Sequence, residues 1–196
     1  PVEPVMRCVL RLCQEAGQDM AAGMIFNGYL EFCAKDVARS REALALIESD
    51  PDALADMLAA TVAAGSQLDN RFFLTETLRL IRHPDTEFRR RAVFAMARIH
   101  WPEGASVPDT AITALEETVA EETDDRILAS AIKSAFALFV QDKAFGVRTV
   151  TLIGAALTKG DEYTLHAASE LLWLNTKDLP PTLLQLLLTH LKQVKP

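Results

Sequence analysis

At 196 residues the chain is long enough for one sizeable core and within reach of one or two domains. Hydrophobic residues at 49% against 24% charged exclude a disordered chain, and the dominance of Leu and Ala over only 8 glycines disfavours a β-rich one. A net charge of −7 opposes sequence-independent binding to nucleic acid, where cationic contacts to phosphate supply most of the affinity.

The chain opens on Pro1 without a basic-then-apolar leader, and no run reaches the ~18 apolar residues of a membrane span. A fragment of a longer cytoplasmic protein is expected. Helices are predicted over residues 4–16 and 19–34, an irregular N-terminal pair within 1–35. Cys8, Cys13 and Cys33 lie in these stretches, odd in number and without C-x-x-C spacing, and are expected as buried, reduced thiols.

Further helical stretches follow at 36–49, 69–82, 108–121 and 145–158, each leading into a second one. The clearest second helix is HPDTEFRRRAVFAMARI, where Pro84 closes the preceding helix and Asp85 is a good N-cap. Phe88, Ala92, Ala95, Met96 and Ile99 then recur at three- and four-residue spacing, one apolar stripe with a small face. The design returns: Asp52, Asp124 and Asp161 precede Ala59, Ala131 and Ala168 by seven residues, as Asp85 precedes Ala92. The intervals between these aspartates are 33, 39 and 37 residues, a period that signals a helical solenoid. The turn Trp101–Val107 carries a Trp expected to be exposed, and Gly160 is available as a helix C-cap. Residues 181–193 form a helix with Leu on nearly every side, which must be covered. Either a parent chain continues beyond it, or this edge self-associates.

Residues 83–99 resemble the second half of a HEAT repeat: Pro84, Asp85, Glu87, Phe88, Arg89, Ala92, Ala95 and Ile99 match its pattern, with Phe88 in place of the usual Val. The match loosens elsewhere, with Ile127 and Leu128 at the Val-Arg positions and, in repeat 145–175, the Asp and Ala kept but no Arg at the Val-Arg position. The resemblance covers roughly residues 36–193 and implies an all-α, right-handed α-solenoid of about five two-helix repeats. Residues 1–196 would then form one domain: the 1–35 pair, repeats 36–66, 69–100, 108–141 and 145–175, and the first helix of an incomplete repeat at 181–193.

Charge is uneven: residues 71–100 hold seven Arg and a net +4, between segments 1–70 and 101–145 at −6 each. By the HEAT resemblance the 85–100 helix lines a concave face, so Arg91, Phe94 and Arg98 are candidate binding residues. The alternative is that Glu87 pairs with Arg91 at i,i+4 and the rest is solvated. The six carboxylates of Glu116–Asp125 suit a basic partner or, equally, helix-end chemistry, and they lack a calcium-loop spacing. His83, His100, His166 and His190 have no companion at ligand spacing, and no nucleophile elbow or phosphate loop appears. Neither a metal, nor a cofactor, nor an enzymatic activity is expected. A protein-interaction scaffold is the leading reading. A DNA-associated HEAT-like module and a purely structural arm of a larger protein are the alternatives, and the first of these is opposed by the acidic charge.

Overall fold

A computed structural model of the protein describes residues 1–17, 20–177 and 179–193; the start of the helix predicted from Asp19 and the extreme C-terminus of the 1–196 domain lie outside them. Among the described residues there is no strand, and the chain is all-helical. Two compact units are present, Pro1–Gly104 and Ala105–Pro196, where the sequence reading takes residues 1–196 as one domain.

The first unit contains α1 (Glu3–Ala16), α2 (Met20–Ala34), α3 (Val37–Ser49), a single turn α4 (Pro51–Leu54), α5 (Leu58–Ser66), α6 (Asn70–Leu80) and α7 (Thr86–Met96). These pair as α1 with α2, α3 with α5 and α6 with α7, and the second members pack side by side, α2 on α5 and α5 on α7. Asp36, Asp69 and Asp85 each cap their helix by accepting a backbone N–H, from Ala38, Phe72 and Phe88 respectively. Asp52 does not follow this pattern. Pro51 occupies the first position of a one-turn helix, and a 3-10 turn, Ala55–Met57, intervenes before α5. The tighter turn brings Leu54 and Met57, three residues apart, to one side, where both are buried.

The second unit contains α8 (Asp109–Glu121), α9 (Asp125–Gln141), a 3-10 turn Lys143–Phe145, α10 (Gly146–Lys159), α11 (Glu162–Asn175) and α12 (Pro181–Gln193). Here α8 packs on α9 and on α10, α9 packs on α10 and on α11, and α12 lies against α10 and α11. The Leu-rich last helix is covered on one side only. Leu183 and Leu187 are fully buried, whereas Leu188 is exposed.

Small residues sit where helices meet. Ala92 and Ala131 are completely buried on the second helices of their pairs, as the seven-residue offset from Asp85 and Asp124 requires. Ala131→Leu should therefore overpack the α9 interfaces and cost ~1 kcal/mol or more, read as a lower urea midpoint. An unchanged midpoint would mean that the register of α9 is misplaced.

Two sequence expectations need correction. Trp101 is buried, because the chain just before it is pinned: the Asn70 side-chain amide donates to the His100 carbonyl and the His100 N–H donates to Ser66 Oγ at 2.8 Å. Of the cysteines only Cys33 is buried. Met6 and Val9 form the inner stripe of α1, which leaves Cys8 exposed and Cys13 partly so. Gly160 is the C-cap of α10, as the sequence reading has it: its N–H donates to the Ala156 carbonyl, its backbone is extended, and a Cβ there would lie 2.2 Å from Thr164 Cγ2.

Candidate functional site

Helix α7 carries Arg91 and Phe94 and the turn just after it carries Arg98, and the structure separates their roles. Arg91 is half-buried and held by two acids, Asp56 from the turn before α5 and Glu87 at 3.1 Å one turn earlier in its own helix. The i,i+4 pairing with Glu87 thus forms as the alternative reading anticipates. Glu87 also takes Arg90, at 2.5 Å. Arg98, two turns on, is exposed and lies over the ring of the half-buried Phe94, 5.4 Å from its centroid.

Phe94 and Arg98 border a groove of about 330 Å³ that spans the three second helices of the first unit. Its floor is Ala59, Ala60 and Ala63 of α5, whose methyl groups leave a trough between taller neighbours. One wall is Phe26 and Leu30 of α2, the other Phe94 of α7, and Asn27, Asp56 and Arg98 stand exposed at the rim. A concave site that is mostly apolar with a few polar groups at its margin is the usual form of a ligand or peptide pocket. Arg91 is not among the residues that line it; it serves the site by neutralising Asp56.

The remaining arginines of the basic run are largely committed within the fold. Arg79 bridges Glu48 and Glu76 at 2.6 and 2.7 Å, and Arg89 donates to the His83 carbonyl at 2.9 Å. For Arg79 these acids hold the guanidinium pKa above its ordinary value.

The acidic stretch Glu116–Asp125 is likewise absorbed. Glu116 accepts two bonds from Arg148, at 2.8 and 2.5 Å, a fork that also reaches Thr113 Oγ1 at 2.7 Å. The same pairing lowers the Glu116 pKa below the usual carboxylate range. Lys159 Nζ donates to the carbonyls of Val119, Ala120 and Glu122 at 2.6, 2.7 and 3.1 Å, a cation on the C-terminal end of α8. Asp124 caps its own helix, accepting from Arg126 and Ile127. Asp125 instead reaches across to α11. Its oxygens accept from the N–H groups of Asp161, Tyr163 and Thr164 at 2.8, 2.6 and 3.2 Å, so Asp161, expected as a cap, is itself capped.

Among the described residues, no group of three or more His, Cys, Asp or Glu side chains is arranged to hold a metal ion. No described helix is long and apolar enough to cross a membrane. Of the candidates named from sequence, Phe94 and Arg98 border this groove, while the alanine floor and the α2 wall were not named. The signal available was the run Ala59-Ala60 with Ala63, small residues on consecutive turns of a second helix. No family model, curated protein or solved structure was found to match the chain.

Proposed function

We propose that the chain is a protein-interaction module of the α-solenoid class, its helix pairs acting as HEAT-like repeats in a right-handed stack and its second helices presenting the binding face. The observation that carries this reading is the groove of the first unit, a three-helix trough with an alanine floor, aromatic walls and a polar rim. Repeat stacks of this kind present extended surfaces made by neighbouring repeats, and here residues from three successive helix pairs contribute to one concavity. The thiols Cys8, Cys13 and Cys33, none of them held in a disulfide, suit a reducing, cytoplasmic setting. A nucleic-acid reading draws little support from the arginine run, since Arg79, Arg90 and Arg91 already face acids within the fold.

Ala60 is half-buried at the floor, so Ala60→Arg should fill the trough while leaving the core intact. In an affinity capture from the source cytosol, proteins held by the wild type should be absent from the Ala60→Arg sample, with both proteins melting alike. Identical retention by the two, or none by either, would remove the groove from the account.

A further inference from the structure

We infer that the groove takes an acidic amphipathic segment of a partner protein, one that sets a large apolar side chain on the alanine floor and a neighbouring Asp or Glu against Arg98. This rests on the groove being the binding face. Three features of the site select that occupant. The floor and walls, Ala59, Ala60, Ala63, Phe26, Leu30 and Phe94, present apolar side chains to an incoming group. An open trough of about 330 Å³ has room for one or two large aliphatic or aromatic side chains.

The charge at the rim supplies the polarity. Two ionised side chains border the groove, and they are not equivalent. Asp56 is engaged by Arg91, so its charge is locally cancelled. Arg98 has no acidic partner among the described residues; its guanidinium rests on the Phe94 ring, which leaves its N–H groups directed to solvent or to a ligand. Stacking on an aromatic ring orients the planar guanidinium without consuming its donors, an arrangement suited to a planar carboxylate. A basic segment would meet that cation without compensation. A nucleic-acid phosphate could reach Arg98 as well, but among the described residues no second cation lines the groove to follow a phosphate backbone. A carboxylate beside an apolar anchor is the chemistry that satisfies both halves of the site.

The test is a selection of random peptides displayed on phage against the whole chain, with the enriched peptides then titrated by fluorescence anisotropy. Wild type, Arg98→Glu and Ala60→Arg are compared, each checked for an unchanged thermal melt; both positions are at least partly exposed. The expected consensus pairs a large apolar residue with an Asp or Glu, binding about tenfold more weakly to Arg98→Glu and not at all to Ala60→Arg. Selection repeated on Arg98→Glu should replace the acid with Lys or Arg. A consensus lost on Ala60→Arg but indifferent to Arg98→Glu, or one rich in basic residues, would overturn the acidic occupant and leave the groove as a binding face. Peptides that bind Ala60→Arg as well as wild type, or a failure to enrich any, would overturn both.

Discussion

Gly65→Ala should destabilise the first unit by about 2 kcal/mol, although alanine is the better helix former by ~1 kcal/mol. Gly65 is buried near the end of α5, and a Cβ built there would stand 2.1 Å from Cζ and 2.2 Å from Cε2 of Phe73. Those distances are well inside contact, so either the ring or the helix must move. The ring has little freedom: Phe73 is fully buried, and Phe72 meets it edge-on with centroids 5.1 Å apart. The backbone is tied as well, because the Gly65 carbonyl accepts the N–H groups of both Leu68 and Asp69 in the turn to α6. Overpacking against such a wall costs 1–3 kcal/mol or somewhat more, which outweighs the gain in propensity. Urea denaturation of the single variants and of Gly65→Ala with Phe73→Leu decides the cause. The double variant should be more stable than the sum of its parts predicts, since the smaller side chain makes room for the methyl group. Strict additivity would mean that the loss comes from somewhere other than this contact.

The same pair of helices shows why fold class was legible in the sequence while the groove was not. Helix positions follow from local chemistry: the aspartate caps at 36, 69, 85 and 124, the three-and-four spacing of apolar residues, and the prolines between elements are all properties of short windows. The predicted stretches 36–49, 69–82 and 108–121 accordingly fall on α3, α6 and α8 within a residue or two. Where a short window misled, a distant partner had intervened. Trp101 reads as a loop residue until Ser66 and Asn70 hold the chain beside it and draw it inward. Asp161 has the spacing of a cap but gives that role to Asp125, 36 positions earlier.

Candidate residues show the same division. The sequence spacing sets Arg91, Phe94 and Arg98 along one flank of an 85–100 helix; the structure ends the helix at Met96 and carries Arg98 in the turn that follows. What distinguishes them is who stands opposite. Asp56, distant in sequence, neutralises Arg91, whereas the alanines of α5 and Phe26 of α2 turn Phe94 and Arg98 into the side of a groove. Trp173 on α11 is 84% accessible, an exposure that its residue type alone does not suggest.

Asp125→Ala should cost about 2 kcal/mol in the second unit near neutral pH, a loss that shrinks as the solution is acidified. The carboxylate accepts three backbone N–H groups, from Asp161 just before α11 and from Tyr163 and Thr164 in its first turn, donors that have no partner within that helix. Loss of a helix cap costs ~0.5–2 kcal/mol, and a charged acceptor serving three donors belongs at the upper end. Gly160 belongs to the same cluster. Any side chain there would press on Thr164 and stand 2.7 Å from Asp125 Oδ1, so the glycine keeps open the approach that the carboxylate uses. Burial pushes the Asp125 carboxyl pKa up, but the N–H donors of Asp161 and Tyr163, together with Thr164, outweigh it and hold the pKa below the ordinary value. A folded-state pKa that lies below the unfolded one gives stability that is complete above the unfolded value, about 3.9 for Asp. That stability is lost as pH falls through the depressed folded value, because between the two the unfolded chain binds the extra proton. Alanine does not titrate, so the difference between wild type and Asp125→Ala in urea midpoints isolates this term. It should be full at pH 7, begin to close below about pH 4 and be smallest at the acid end. Amide exchange at Tyr163 and Thr164 reads the cap directly and should quicken in the variant at neutral pH. A gap that stayed constant on acidification, or protected amides at both positions in Asp125→Ala, would show that the first turn of α11 is held by its own packing and not by the carboxylate of α9.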